Sequence, residues 1–185
     1  MKPKQALQRY IAFLRAINVG GHTVKMEALR THFSRLGYID VETFIASGNV
    51  IFHTAGGDPA VHEAQIAEEL ERRLGYAVAT FLRTPPELMR IAEQRPFAAA
   101  TFDYDSSQLY IGFLAGTLPA ATARQVAALR TPVDELRIIG RELYWGCRTS
   151  FSQSQLSGAV LERTLRSPMT MRNITTVRRL AAKYA

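Results

Sequence analysis

The chain has 185 residues, of which 47% are hydrophobic and 21% charged, and its formal net charge is +7. These values are ordinary for a globular protein of one domain or two small ones. No apolar run approaches the roughly 20 residues that a membrane span needs, and the single cysteine, Cys147, excludes an internal disulfide. We therefore expect a cytoplasmic protein with no membrane partner. The first ten residues lack an apolar signal core, so we expect a short disordered lead-in.

The positive charge is concentrated at the two ends of the chain. Residues 1–30 and residues 160–185 each hold six Lys or Arg side chains and one acidic side chain, and the span between them is net negative. If the fold brings the two ends together, one face is basic and attracts phosphate groups. If it does not, each end is a solvated basic segment.

The stretch YIAFLRAINVGGHTVKM, residues 10–26, predicts a buried strand, a turn through Gly20 and Gly21, and a helix that begins near Lys25. Gly37 then ends that helix. A glycine loop before a helix offers backbone N–H groups to an anion. The cationic and polar side chains that flank this loop are Arg15, Asn18, His22 and Lys25.

This loop has an alternative interpretation. It matches neither a P-loop nor G-x-G-x-x-G, and a tight turn needs glycine for its backbone angles alone. Asn18 either orients a ligand or bonds its own turn. Ser47 and Asn49 lie in a predicted hairpin, and they become binding candidates only if that hairpin lies beside Gly20.

The rest of the chain predicts two similar halves. The first half has the order β-α-β-β-α-β of a split βαβ, or ferredoxin-like, unit. Its later predicted strands are 41–45, 50–52 and 76–82, and its second helix begins at Asp58-Pro59 and ends at Gly75. A capping-box pattern, Thr84 to Glu87, begins the next helix.

The second half repeats the order β-α-β-β-α, with Ser154 as the predicted cap of a helix over 155–165. We therefore predict an α+β protein of two ferredoxin-like halves, the second lacking its last strand and ending in a C-terminal helix. The predicted division is a first unit over 1–83, a helix and linker over 84–107, and a second unit over 108–185.

Arg172 and Asn173 stand where the last helix begins. Asn173 is most simply an N-cap. An arginine is unfavourable at the positive end of a helix dipole. Arg172 therefore predicts a partner, which is an acidic side chain, a carbonyl group or a bound anion.

Four segments together resemble the bacterial family of domain of unknown function 1697. They are FLRAINVGG, IASGNVIF, the helix start at Ser154-Gln155-Leu156, and the stretch from Met169 to Val177. The family usually has glycine where this chain has Ala16, and often has tryptophan where it has Ile174. The resemblance implies an α/β fold of ferredoxin-like halves, and it brings no established activity.

Familiar catalytic patterns are missing from the sequence. Cys147 has no local motif that ties it to a histidine, and the histidines fall in no zinc-binding frame. We expect no metal and no cofactor. We predict a binding protein for a phosphorylated small molecule or nucleic acid, through a basic face near the glycine loop. The candidate ligand-binding residues are Arg15, Asn18, Gly20, Gly21, Lys25, Ser47, Asn49, Arg172 and Asn173.

Two alternatives stay open. One is an enzyme that acts on an anionic small molecule, with the loop stabilising developing charge and His22 as the titratable group. The other is a protein-interaction module without a ligand. The sequence leaves the oligomeric state open.

Overall fold

A computed structural model describes residues 7–185, and the chain divides after Glu87 into two compact units. Unit 1 ends at Glu87, and unit 2 begins at Leu88. The start of the expected lead-in, residues 1–6, lies outside the described residues. The finer three-part division stays a prediction.

Unit 1 is an antiparallel sheet of four strands with two helices. Its elements in chain order are β1 (Gln8–Leu14), α1 (Met26–Arg35), β2 (Ile39–Thr43), β3 (Asn49–Thr54), α2 (Pro59–Leu74) and β4 (Thr80–Arg83). The spatial order of the strands is β2-β3-β1-β4, which is the ferredoxin-like order.

Unit 2 repeats this arrangement after a helix, α3 (Pro85–Glu93), that crosses the boundary between the units. The following elements are β5 (Gln108–Phe113), α4 (Ala120–Ala128), β6 (Asp134–Ile139), β7 (Glu142–Cys147), a short 3-10 helix (Phe151–Gln153), α5 (Gly158–Leu165), β8 (Thr170–Asn173) and α6 (Ile174–Tyr184). The strand order is β6-β7-β5-β8. The predicted α+β class, with two ferredoxin-like halves and a C-terminal helix, is confirmed.

The predicted absence of a last strand from the second half is wrong. β8 pairs antiparallel with β5 and places Arg172 opposite Ile111. This strand has four residues, and three of them, Thr170, Arg172 and Asn173, are polar. Such a segment shows no run of apolar residues and no clear alternation, so its pairing with β5 is decided by the rest of the sheet.

Several predicted boundaries also differ from the structure. Ser154 does not cap the predicted helix, because α5 begins three residues later than expected and Ser157 accepts the N–H of Val160. The Oγ of Ser154 instead donates to the carboxylate of Asp134.

Two strand boundaries of unit 1 also differ. The strand predicted over 76–82 is β4, which begins only at Thr80. The earlier hairpin strand ends at Thr43, so the turn is longer than predicted.

The predicted helix ends are mostly confirmed. Asp58 accepts the N–H of Ala60 at 2.9 Å, and Gly75 ends α2 in the left-handed region at φ 79°. The carboxylate of Glu87 accepts both the N–H and the hydroxyl of Thr84, each at 2.8 Å. These local signals depend on neighbouring residues alone, so the sequence carries them in full.

Both halves begin with nearly the same strand. Tyr10–Leu14 reads YIAFL and Tyr110–Leu114 reads YIGFL. Tyr10, Ala12 and Leu14 pack in the helix-covered core of unit 1, and Ile11 and Phe13 on the opposite face are also buried. A continuous apolar run is what a strand covered on both faces requires.

In the described part of the chain, no helix combines the length and the apolar character needed to cross a bilayer.

Candidate functional site

The connection from β1 to α1, residues 15–25, is the most strained segment of unit 1. Four of its backbone positions lie in the left-handed region: Ala16 (φ 60°), Asn18 (φ 54°), Gly20 (φ 62°) and Gly21 (φ 88°). Glycine adopts this region freely, whereas a residue with a Cβ pays free energy there. A Cβ placed on Gly20 or Gly21 would meet no atom within 4 Å, so the outer side of the loop is open.

The side chain of Asn18 holds this loop in shape. Its Oδ1 accepts the N–H of Val24 at 2.6 Å. Its Nδ2 donates to the carbonyl of Val24 at 3.2 Å and to that of Ala46 at 2.9 Å. The amide therefore closes the loop on itself and attaches it to the β2–β3 turn. Of the two roles predicted for Asn18, these contacts favour the bonding of its own turn.

The β2–β3 turn, residues 44–48, lies directly against this loop. The N–H of Leu14 donates to the carbonyl of Gly48 at 2.8 Å, and a Cβ on Gly48 would approach the Cβ of Ile17 to 2.9 Å. Gly48 is therefore required by the close approach of the two segments as well as by its φ of 72°. The turn therefore contacts the loop at Ile17 and Asn18, whereas a Cβ on Gly20 would meet no atom within 4 Å. A binding role for the polar residues of the hairpin, which required a position beside Gly20, stays a prediction.

The polar side chains of this turn serve its own geometry. Asn49 is fully buried, and its Nδ2 donates to the carbonyl of Phe44 at 3.0 Å and to the Oγ of Ser47 at 2.9 Å. Ile45 lies at φ 50°, which is costly for a β-branched residue, and it stays 43% exposed. The turn thus keeps an exposed apolar side chain in a strained position beside the loop.

Charged and aromatic groups surround the loop. Lys25 is exposed at the N-cap of α1, and its side chain makes no capping hydrogen bond within the described residues. Arg15 is half-buried, and its N–H donates to the carbonyl of Ala79 at 2.9 Å. The exposed ring of His22 stacks on Tyr76, with centroids 3.7 Å apart and planes 23° apart. Burial raises the pKa of Tyr76, so its hydroxyl is un-ionised at neutral pH.

The corresponding connections of unit 2 are much shorter. Residues 114–119 link β5 to α4, where unit 1 uses residues 15–25. A two-residue turn, 140–141, links β6 to β7, where unit 1 uses residues 44–48. The same fold and nearly the same first strand are therefore closed without the longer loops. The fold itself does not demand the strained segments of unit 1.

The two candidates of the second half are placed differently. Arg172 is only 8% exposed, and its guanidinium donates to the Oγ1 of Thr170 at 2.9 Å and to the carbonyl of Met171 at 2.8 Å. Burial lowers the pKa of Arg172 to about 10, so it keeps its charge at neutral pH. Asn173 accepts the N–H of Thr175 at 2.8 Å and caps α6, which is the role that the sequence favours.

Sequence reasoning missed the aromatic stack and a buried carboxylate. Tyr76 follows the glycine that ends α2, and no local pattern pairs it with His22. Asp134 is fully buried and accepts hydrogen bonds from the indole N–H of Trp145 at 2.8 Å and from the hydroxyls of Thr131 and Ser154. These donors satisfy the carboxylate and give it a structural role in unit 2.

Cys147 and the histidines matched no catalytic or zinc-binding motif in the sequence. Cys147 is fully buried, with its Sγ 3.6 Å from the Oγ1 of Thr149. Within residues 7–185, no three His, Cys, Asp or Glu side chains gather as a metal centre would require.

Comparison with known proteins supports the fold and the family. The chain is similar to the structure of conserved bacterial protein SP0830 from Streptococcus pneumoniae, with a TM-score of 0.73 and 24% identity over 96% of this chain and 98% of that one. At that identity the likeness concerns the fold. No curated protein matches the chain. A family profile described as "Protein of unknown function (DUF1697)" matches residues 7–144, and the chain therefore belongs to the DUF1697 family.

Proposed function

We propose that the β1–α1 connection of unit 1, together with the adjoining β2–β3 turn, binds a phosphate-bearing ligand. The observation that carries this proposal is the contrast between the two halves. Unit 2 closes the same fold with short connections, whereas unit 1 maintains longer ones with left-handed residues at Ala16, Asn18 and Ile45. Such strain costs free energy and is concentrated at functional sites in proteins.

The charge at the loop supports an anion as the ligand. Lys25 is exposed at the N-terminus of α1, where the helix dipole and the first N–H groups favour negative charge. Gly20 and Gly21 leave open space where side chains would otherwise stand. The exposed ring of His22, supported on Tyr76, offers a flat surface for stacking. Arg15 adds a second cation on the same connection.

The proposal does not depend on Arg172. That side chain is buried and hydrogen-bonded within unit 2, and Asn173 caps its own helix. The cations that support ligand binding are those of the connection itself. Ser47 and Asn49 hold the neighbouring turn and act through its shape. A cytoplasmic location is part of the same proposal, supported by the lone buried Cys147.

The test is an NMR titration of the ¹⁵N-labelled protein with pyrophosphate and, separately, with a short single-stranded RNA. We expect pyrophosphate to shift the amide signals of Gly20, Gly21 and Lys25. Lys25→Ala is expected to weaken that binding about fivefold to tenfold, because a charge-assisted contact is lost. Arg35→Ala removes the same charge from the far end of α1 and is expected to leave the affinity unchanged.

The titration with RNA distinguishes a nucleic acid from a phosphorylated small molecule as the ligand. Binding of RNA far tighter than pyrophosphate, with a steep salt dependence, would identify a nucleic acid as the ligand. Unchanged loop signals with both probes, or equal effects of Lys25→Ala and Arg35→Ala, would reject the proposal. The alternatives of an enzyme that uses His22 and of an interaction module without a ligand stay predictions.

A further inference from the structure

Unit 2 contains an open groove that none of the sequence motifs indicates. It has a volume of about 540 Å³ and lies between α4, the edge strand β6 and the linker residues 96–101. This volume is within the range of about 300–1,000 Å³ that small-molecule sites occupy. The groove belongs entirely to unit 2, so it is separate from the glycine loop of unit 1.

Three arginines line the groove. Arg124 and Arg130 are exposed on and just after α4, and within residues 7–185 neither forms an ion pair. Arg137 projects from β6, and its guanidinium donates to the carbonyl of Pro96 at 2.6 Å. This bond fixes Arg137 against the linker.

The single carboxylate of the groove does not neutralise these arginines. Glu135 is already paired, because its carboxylate accepts a hydrogen bond from the guanidinium of Arg148 at 2.9 Å. Arg148 does not line the groove, and it also donates to the carbonyl of Thr101 at 2.6 Å. The groove therefore keeps a net positive charge on its walls.

The remaining lining is mostly apolar. Ala123 and Ala127 of α4 are separated by one helical turn and are accessible. Leu136 of β6 is only 5% exposed and packs with Ile138 in the core of unit 2, so these two residues form the floor of the groove. Small alanines leave room for a flat group, and the guanidiniums are suited to bidentate contacts with phosphate. A ligand that matches both parts has a flat, weakly polar ring and a chain of phosphates.

We propose that this groove binds a nucleoside phosphate, with the base over the alanines of α4 and the phosphates at Arg124, Arg130 and Arg137. The volume of the groove, its positive charge and its mixed lining all suit such a ligand. This site is independent of the one proposed for unit 1, since the two sites share no residue.

The experiment is an NMR titration of the ¹⁵N-labelled full chain with ATP, adenosine and tripolyphosphate. We expect ATP to shift the amide signals of Ala127 and Leu136 and to bind at least about tenfold more tightly than either fragment. The double variant Arg124→Ala/Arg130→Ala is expected to raise the Kd for ATP at least about tenfold. Both side chains are exposed, so we expect the double variant to fold. A well-dispersed spectrum of the variant will verify this.

Arg163→Ala, an exposed arginine of α5, is the matched control and is expected to leave the Kd unchanged. Unshifted groove signals, or an equal Kd in the double variant and this control, would overturn the inference. Tripolyphosphate binding as tightly as ATP would overturn the nucleoside assignment, as would a single-stranded oligonucleotide that occupies the groove far more tightly than ATP. ATP signals confined to Gly20 and Gly21 would support the function of unit 1 and overturn this second site.

Discussion

Arg83 and Arg172 occupy equivalent positions in the two halves of the chain. Arg83 lies opposite Ile11 in the β1–β4 ladder, and Arg172 lies opposite Ile111 in the β5–β8 ladder. Each is buried, at 1% and 8% exposure, and each donates to the carbonyl of the residue before it, at 2.7 Å and 2.8 Å. The repeat extends to the next residue, because Thr84 and Asn173 each stand at the start of a helix.

This equivalence predicts that both arginines stabilise the fold. Arg83→Ala or Arg172→Ala leaves a cavity and removes donors from buried acceptors. We expect each to lower the free energy of unfolding by about 2–4 kcal/mol in urea denaturation. The exposed control Arg163→Ala is expected to change it by less than about 0.5 kcal/mol. An Arg172→Ala variant as stable as the wild type would contradict this structural role.

Ala16 predicts a stabilising substitution. Its φ of 60° lies in the left-handed region, which suits glycine better than alanine. Ala16→Gly is therefore expected to raise the free energy of unfolding by about 0.5–1 kcal/mol. Ala64→Gly, on the exposed side of α2, is the contrasting control and is expected to lower it by about 1 kcal/mol. Thermal unfolding of the two variants measures both changes, and a destabilised Ala16→Gly would contradict the left-handed geometry.

Asn18 is expected to be the residue on which the shape of the loop depends most. Asn18→Ala removes three hydrogen bonds, to both backbone groups of Val24 and to Ala46, and should cost about 1–3 kcal/mol of stability. NMR signals of residues 15–25 and 44–48 should broaden or move together, because the amide joins the two segments. If only the signals of residues 15–25 change, the hydrogen bond to Ala46 does not couple the loop to the β2–β3 turn.

The alkaline stability of unit 1 depends on Tyr38. Burial raises the pKa of Tyr38 from 10.0 to about 12, and its hydroxyl hydrogen-bonds the Nδ1 of His62 at 3.0 Å. Since the folded-state pKa is raised, its contribution is complete below pH 10 and is lost as the pH rises through about 12. We expect this to remove about 2–3 kcal/mol in the wild-type protein.

The Tyr38→Phe variant tests this assignment. We expect this variant to be less stable than the wild type at neutral pH by about 1 kcal/mol, because it lacks the hydrogen bond to His62. Its free energy of unfolding should then fall less than that of the wild type between pH 10 and 12. Parallel curves for the two proteins would show that Tyr38 does not titrate as described.

The fold was largely predictable because its signals are local. The apolar run of β1, the caps at Asp58 and Thr84 and the helix end at Gly75 each need only a few neighbouring residues. The fourth strand of unit 2 was not predictable, because β8 has four mostly polar residues and forms through its pairing with β5.

The candidate site divides in the same way. The residue types of this chain alone determined the glycine loop, the cation at Lys25 and the cap at Asn173. The tertiary structure decided that the β2–β3 turn lies on that loop, that His22 stacks on Tyr76 and that Arg172 is buried. It also brought α4, β6 and residues 96–101 together around three arginines. Such contacts join residues far apart in the chain, and only the packing of the complete sheets and helices determines which of them meet.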